Sequence, residues 1–396
     1  MSVLLPLSEP EARDMVVRAR TIQEPLSIRG GGTRKMLGRP IKTRVALSTS
    51  MLTGITLFEP AEMVFSARAG TPVAMIEKAL AEESQMLPFE PMDHRYLMAT
   101  DSEPTIGGVF AANISGPARI NRGACRDAAI GVRFVNGRGE IIKSGGRVVK
   151  NVTGLDLTKL LCGSFGTLGL VTEVSFRVIP RPERSVTLVL GGLTDRQAVE
   201  AMCRALGSPF DPDGVAHLPA GIAGTEAQTL IRIGNFSSSV DYRVRETSRR
   251  LRSFGTHSQL QETDSISLWR AVRNVEFLAE PRDNAVWRLS IPPTKGPEAV
   301  ALIAQSIPEF QHYYDWGGGL IWLAIAGAGN AAAVAVRAAV AVTGGHATLV
   351  RASTELRSSV DPFPPLGPAF RKIAAGLKSS FDPDAILEPG RMYAGI

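Results

Sequence analysis

Apolar positions in the first 180 or so residues come in short bursts separated by glycine. Met15, Val16 and Ala19 follow Ser8, Pro10 and Glu11, the order of an N-cap, a first-turn proline and a capping acid, which predicts a helix. Thr71 and Pro72 are read as the cap and first turn of a second helix with Val73, Ile76 and Leu80 on its apolar face. From Leu170 to Val178, Leu170, Thr172, Val174, Phe176 and Val178 alternate with Glu173, Ser175 and Arg177, the period of a half-buried strand. Between these elements lie IRGGGT from Ile28, PTIGG from Pro104, NGRGE from Asn136, SGGR from Ser144 and GSFGTLG from Gly163. The pattern predicts a strand-and-loop domain with few long helices, closing at Ile179, Pro180, Arg181 and Pro182.

Beyond that proline pair the texture changes. Strand-like SVTLVL from Ser185 precedes a helix opened by Thr194 and Gln197, then strand-like TLIRIG from Thr229 and a polar helix near Val240 to Leu251. A similar order follows: NAVWRLSI from Asn284 as strand, Pro297 to Ile307 as helix, GLIWLAIAG from Gly319 as strand, Asn330 to Val342 as helix, and ATLVRA from Ala347 as strand. Two rounds of strand, helix and strand predict an antiparallel sheet with helices on one face. After Ser353 the chain is proline-rich, with one more helix from Pro368 to Leu377. The expected division is 1–182, 183–355 as a cap, and 356–396 returning to the first domain.

A chain of 396 residues supports two cores. Its excess of 44 basic over 38 acidic residues favours anionic partners, but no long Lys/Arg block exists and aromatics are only 6%, so nucleic-acid binding is not expected. Three widely spaced cysteines (Cys125, Cys162, Cys203) suit neither a disulfide framework nor an iron–sulfur site. The first residues lack the basic region of an export signal, and no run of about 18 apolar residues occurs. A cytoplasmic protein is expected, with membrane contact only through partners.

Three glycine-rich loops carry the candidate chemistry. In IRGGGT, consecutive glycines let successive N–H groups converge on phosphate oxygens; a plain glycine turn is the other possibility. In PTIGGVFAANISG, Thr105 offers a hydroxyl, Gly107 and Gly108 allow close backbone approach, and Asn113 and Ser115 offer side-chain hydrogen bonds. GSFGTLGLVTE leads into the alternating strand. No G-x-G-x-x-G joins a predicted strand to a helix and no Walker A pattern occurs, which removes the basis for Rossmann and P-loop assignments.

In this order, the loops resemble the FAD-binding domain of the vanillyl-alcohol oxidase (PCMH-type) flavoprotein superfamily, over about Leu26 to Pro182. ARAGTPVAMIEKALAEESQMLPFEP from Ala67, the long segment from Ile114 through GSFGTLGLVTEV, VWRLSIPPT from Val286, DWGGGLIWLA from Asp315, GGHATLVRA from Gly344 and the terminal EPGRMYAGI are similar to the E-subunit family of bacterial glycolate oxidases. The resemblance implies an α+β fold: a two-subdomain PCMH-type FAD-binding domain plus an α+β cap, with the isoalloxazine between the domains. It implies that Arg29, Gly30, Gly31, Gly32 and Thr33 hold the pyrophosphate. Thr105, Ile106, Gly107 and Gly108 with Asn113, Ser115 and Gly116 would line the ribityl and flavin. Gly163, Ser164, Gly166, Thr167, Gly169 and Val171 would lie near the adenosine half. Glu388 stands where the family usually has Asn, while Gly390 and Arg391 are retained. Relatives that bind FAD covalently use a histidine near the first loop; none is present here, so the FAD is expected to be non-covalent.

Oxidation of a 2-hydroxy acid needs a cation for the carboxylate, a base for the hydroxyl proton and flavin N5 as hydride acceptor. Arg288, alternating with Trp287 and Leu289, is the first candidate anchor, with a surface arginine as the plain alternative. His346 is the candidate base and Arg351 a second anchor. His94, His217, His257 and His312 do not have metal-pair spacing, so no metal is expected. The resemblance implies a D-type FAD-linked glycolate oxidase subunit and an iron–sulfur subunit as partners, and a small 2-hydroxy acid as substrate. It leaves open whether this chain oxidises glycolate or serves electron transfer or assembly beside a catalytic partner. A flavin-free assembly protein and a free-standing 2-hydroxy-acid or alditol oxidase are the remaining alternatives.

Overall fold

The computed structural model describes residues 2–146, 154–260, 262–327 and 329–396; Arg147 of the SGGR segment lies outside them. Contacts divide the chain into one unit of Met1–Ser115, Gly123–Arg181 and Pro365–Ile396, and a second of Gly116–Arg122 and Pro182–Pro364. Two departures from the expected division stand out. The return to the first unit falls at Pro365 rather than 356, and the segment before it stays on the second unit through Pro362, whose carbonyl accepts from the Leu349 amide at 2.7 Å. Gly116–Arg122, inside the expected first domain, belongs to the second unit.

The first unit holds two larger sheets. β1 (Ser2–Leu4), β2 (Leu26–Arg29) and β3 (Val45–Ser48) form a parallel sheet in the order β1-β3-β2. The helix Glu9–Thr21 links β1 to β2. Ser8 caps it, and its hydroxyl accepts from the Glu11 amide. The Glu11 carboxylate takes the Leu7 amide at 2.8 Å, one residue before the cap. Ala12, Val16 and Ala19 recur at three- and four-residue spacing, and they bury against Leu26, Leu47 and Leu387.

β4 (Ile55–Glu59), β5 (Val64–Arg68), β7 (Ala129–Val135), β8 (Ile141–Gly145) and β9 (Leu170–Arg177) form an antiparallel sheet in the order β4-β5-β9-β7-β8. β6 (Gln85–Met86) and β10 (Ile179–Pro180) make a short separate ladder. The alternation along β9 is as expected: Val174 and Phe176 are buried while Glu173, Ser175 and Arg177 are half-buried. The helix Val73–Glu82 buries Val73, Ile76 and Leu80 in the same core as Phe65, Phe110 and Phe176. Its cap position is Pro72, not Thr71. The Thr71 hydroxyl turns away to donate to the carbonyls of Arg68 (2.7 Å) and Gly54 (3.2 Å), which ties the end of β5 to the start of β4.

The second unit is built on an eight-stranded antiparallel sheet of β11 (Arg184–Gly191), β12 (Gly214–Leu218), β13 (Gln228–Asn235), β14 (His257–Leu260), β15 (Ala285–Ser290), β16 (Phe310–Asp315), β17 (Leu320–Ile325) and β18 (His346–Arg351). Their order is β14-β11-β13-β12-β16-β17-β15-β18. Side chains alternate between faces along each strand. One face, with Val186, Leu188, Ile231, Trp287, Leu289, Leu323 and Leu349, buries against the helices Asp195–Leu206, Ser237–Leu251, Gly296–Ser306 and Ala333–Thr343. The opposite face carries Thr187, Arg232, Tyr313, Asp315, Arg288 and His346 by register. One further helix, Glu262–Asn274, lies over part of it: the Trp269 indole donates to Thr187 Oγ1 at 2.8 Å and the Tyr313 hydroxyl to the Val272 carbonyl at 2.8 Å.

Candidate functional site

The three glycine-rich loops converge, and the missing Cβ atoms are what allow it. A Cβ on Gly30 would lie 2.0 Å from Thr105 Oγ1, and one on Gly31 would lie 1.8 Å from the Glu103 carbonyl oxygen. The first loop therefore rests directly on the second. Gly32 has φ +88° and open space around it, the backbone state that glycine tolerates best. The amides of Gly31, Gly32 and Thr33 donate to no acceptor among the described residues. In the second loop, Thr105 caps the short helix Ile106–Ala111, and a Cβ on Gly107 would meet Ala69 Cβ at 2.6 Å. The third loop joins at two points. Its Gly163 and Phe165 amides donate to the carbonyls of Phe110 and Ala111 at 3.2 and 2.8 Å, and Gly166, at φ +80°, packs on Ile28 and Glu388.

Cations surround this cradle. Arg34, which follows the first loop, is buried, with Nε donating to His94 Nδ1 at 3.2 Å and Nη2 to the Met92 carbonyl at 3.3 Å. Burial lowers its pKa to about 10, against the pull of Asp93, so it stays charged at neutral pH. Arg29 and Arg391 flank Glu388, whose Oε1 accepts from the Ile28 amide (2.6 Å) and Arg391 Nη1 (2.7 Å). Burial pushes the Glu388 carboxyl up, opposed by Arg391, and its Oε2 is buried without a partner. The Ser164 hydroxyl on the third loop is likewise buried without a partner. Free amides, guanidinium groups and orphaned polar atoms fit a cofactor with a diphosphate bridge. The roles of Arg34, His94 and Glu388 were not anticipated. Arg34 directly follows GGGT, which was a usable signal; nothing local marks His94.

Several of the expected contact residues also make hydrogen bonds or packing contacts inside the protein. Asn113 Oδ1 accepts from the Arg126 amide (3.0 Å) and Ser115 Oγ from the Cys125 amide (2.9 Å), so both side chains hold that turn. Gly116 lies in the second unit, where its carbonyl accepts from Trp316 Nε1 at 3.0 Å. Thr167 Oγ1 closes on the Ser164 carbonyl. Ile106 and Val171 are core residues, and a Cβ on Gly169 would strike the Phe134 ring at 2.6 Å. Cys125 and Cys162 are brought into side-chain contact despite their separation in sequence, and burial pushes the Cys125 thiol well up; both are free thiols.

In the second unit, Arg288 and His346 share one face of the sheet: Arg288 pairs with Thr348 and Ser290 with His346. The Arg288 guanidinium lies 5.0 Å from the Trp316 ring centroid and donates no hydrogen bond among the described residues. Its pKa falls to about 10 through burial and the charge of Arg119, countered by Asp315. The His346 ring is partly desolvated, and with Arg288 and Arg119 nearby its pKa is lowered. Arg351 does not join them. Its guanidinium donates to the carbonyls of Ala279 (2.6 Å), Pro281 (2.9 Å), Asn284 (3.1 Å) and Leu278 (3.3 Å), so it is a backbone clamp and not a second anchor. Among the described residues no His/Cys/Asp/Glu group is placed to hold a metal, and no helix is long and apolar enough to cross a membrane.

Residues 2–145 match the family model described as an FAD binding domain; with the glycine cradle, this makes the chain an FAD-binding flavoprotein of the FAD-linked oxidoreductase class. It is 32% identical over 384 residues to glycolate oxidase subunit GlcE of Escherichia coli (strain K12), spanning 97% of each chain, and it belongs to that family. Glycolate oxidase subunit GlcD of Bacillus subtilis (strain 168) is 33% identical over 185 residues, 46% of this chain and 38% of that one. Among solved structures, p-cresol methylhydroxylase with substrate bound matches with a TM-score of 0.75 over 99% of this chain and 88% of its own, at 12% identity. The 4-ethylphenol oxidase from Gulosibacter chungangensis matches at 0.73 over 99% and 89%, at 13% identity. These two likenesses establish the PCMH-type fold.

Proposed function

We propose that this chain is the FAD-binding subunit of a cytoplasmic complex that oxidises glycolate to glyoxylate, together with a D-type FAD-linked subunit and an iron–sulfur subunit. The observation that carries the reading is the seating of Gly30 and Gly31 on Thr105 and Glu103, with the Gly31, Gly32 and Thr33 amides left available. Full-length similarity to a glycolate oxidase subunit supports the substrate class. Those amides with Arg29, Arg34 and Arg391 would hold FAD non-covalently, and Ser164 and Glu388 would contribute polar contacts.

FAD, when bound, supplies a two-electron acceptor. The chain's own residues supply the rest. Arg288, still charged at neutral pH, holds the substrate carboxylate. His346, whose lowered pKa leaves it neutral at pH 7, accepts the hydroxyl proton. The test is anaerobic mixing of the purified complex with glycolate. Loss of the visible flavin band with formation of glyoxylate is expected; an unchanged spectrum sinks the reading. The same measurement on the isolated chain separates a subunit that oxidises glycolate itself from one that only relays electrons for its D-type partner.

A further inference from the structure

The first glycine loop is closed at its base by two side chains from the C-terminal segment. Glu388 Oε1 accepts at 2.6 Å from the amide of Ile28, which enters the loop, and Arg391 Nη2 donates at 3.2 Å to the carbonyl of Arg34, which leaves it. Arg391 Nη1 joins the two ends by donating to Glu388 Oε1 at 2.7 Å. One carboxyl oxygen therefore takes both donors. The other, Oε2, is buried with no hydrogen-bond partner among the described residues. Gly166 of the third loop packs on the same side chain, where a Cβ would lie 3.5 Å from Glu388 Cγ. Glu388 itself sits at φ +46°, a left-handed state that a long side chain adopts at a cost.

An ionised carboxylate in this place leaves one buried oxygen without a donor, which is costly. Burial pushes the carboxyl up, while Arg391, the Ile28 amide and Arg29 pull it back. Lys378 also acts on this carboxyl, but its three donors are committed to Asp382 Oδ2 (2.6 Å) and to the carbonyls of Leu387 (2.6 Å) and Thr167 (2.8 Å). It is not free to swing across and neutralise Glu388. The balance then turns on what occupies the loop. A diphosphate on the Gly31, Gly32 and Thr33 amides adds negative charge to the segment that Glu388 and Arg391 bracket, and it draws on the same arginines. Added negative charge favours the neutral carboxyl.

We propose that Glu388 takes up a proton from solvent on Oε2 when FAD seats its diphosphate on the first loop, so that cofactor affinity falls as pH rises. The inference rests on the reading that the Gly31, Gly32 and Thr33 amides hold the diphosphate. Two measurements on the full-length chain freed of flavin test it. FAD is titrated by flavin fluorescence from about pH 5 to about pH 9, and calorimetry in buffers of different ionisation heat counts the protons exchanged. The wild type should take up a fraction of one proton per FAD and lose roughly 10-fold in affinity across this range, because a 10-fold gain in proton affinity on binding requires the same factor in FAD affinity. Glu388→Gln, neutral throughout, should lose that uptake and flatten the profile. Glu388→Asn, which suits the left-handed backbone, should do the same and serves if the Gln variant fails to fold. Wild-type binding without proton uptake overturns the proposal. Equal uptake in the wild type and the variants also overturns it, and assigns the proton elsewhere, as to the His94 ring beside Arg34. Gly31→Ala separates the two readings. Wild-type FAD affinity in that variant removes the loop as the diphosphate seat, whatever Glu388 does. If Gly31→Ala weakens FAD roughly 10- to 100-fold while uptake is absent or indifferent to Glu388, the seat stands and the proton coupling falls.

Discussion

Gly31→Ala is the most direct perturbation of the cofactor cradle. The new methyl would start 1.8 Å from the Glu103 carbonyl oxygen, and ordinary contact begins near 3.4 Å, so the two loops must part by about 1.6 Å. The obstacle is backbone, which cannot rotate aside as a side chain would. Overpacking of this kind costs about 1–3 kcal/mol. An amide displaced that far leaves the 2.7–3.2 Å range of a hydrogen bond, and losing one charge-assisted bond to phosphate should weaken FAD roughly 10- to 100-fold. Gly32→Ala is the control. It meets open space but sits at φ +88°, so its cost is left-handed strain of about 1–2 kcal/mol with no collision. Titrating the apoprotein with FAD and following quenching of flavin fluorescence measures both. Gly31→Ala should lose more affinity than Gly32→Ala while stability falls by a similar amount. Wild-type affinity in Gly31→Ala would refute the claim that contact between the first two loops shapes the cofactor site.

Three further outcomes follow from titratable groups. Burial raises the Glu388 pKa above 4.5 despite Arg391 and the Ile28 amide, so its stabilising effect is complete below pH 4.5 and is lost as pH rises through the folded value; Glu388→Gln should raise Tm at pH 8 and flatten that part of the Tm profile, and a lower Tm at pH 8 contradicts the assignment. Asp195 overcomes burial and is held well below the usual carboxylate range by His217, His312 and the Tyr314 hydroxyl. Its contribution is present above pH 3.8 and is lost as pH falls, so Asp195→Ala should cost roughly 2 kcal/mol in urea unfolding at pH 7, and an unchanged midpoint denies the cluster a structural role. Because the His346 pKa lies below 6.5, glycolate oxidation should fall only on the acid side of that value; an acid limb above pH 6.5 excludes His346 as the base.

What the sequence made legible was whatever is settled within a few residues. Ser8 before Glu11, Thr194 before Gln197 and the alternation through Leu170 to Arg177 each act over one turn or one strand, and the elements formed accordingly. The glycine loops were legible because a missing Cβ records close approach, although only coordinates identify the neighbour as Glu103 or Thr105. Strands β12 and β16 escaped notice because His217 and Asp315 are buried polar residues whose partners, Thr229 and the Trp316 amide, are supplied by neighbouring structure. A period-two apolar template cannot register such positions. The helix Glu262–Asn274 escaped for a related reason, since its anchors are the Trp269 and Tyr313 hydrogen bonds rather than an apolar stripe.

What separates the polar candidates in the structure is where backbone acceptors and donors lie. Arg351 and Arg288 are both arginines on neighbouring strands, alike in any local pattern. The loop of residues 278–284 sets four carbonyls around Arg351 and engages its donors. Arg288 meets an aromatic face instead, which accepts no conventional hydrogen bond and leaves the guanidinium edge available. At Asn113 and Ser115 it is the acceptor oxygens that are occupied, by the amides of Arg126 and Cys125. A polar residue is therefore a credible ligand contact only once the surrounding backbone has been seen to leave it unsatisfied. By that criterion the strongest candidates for cofactor contact are the Gly31, Gly32 and Thr33 amides, Ser164 Oγ and Glu388 Oε2; of the two side chains, only Ser164 belonged to the set that the family resemblance implied.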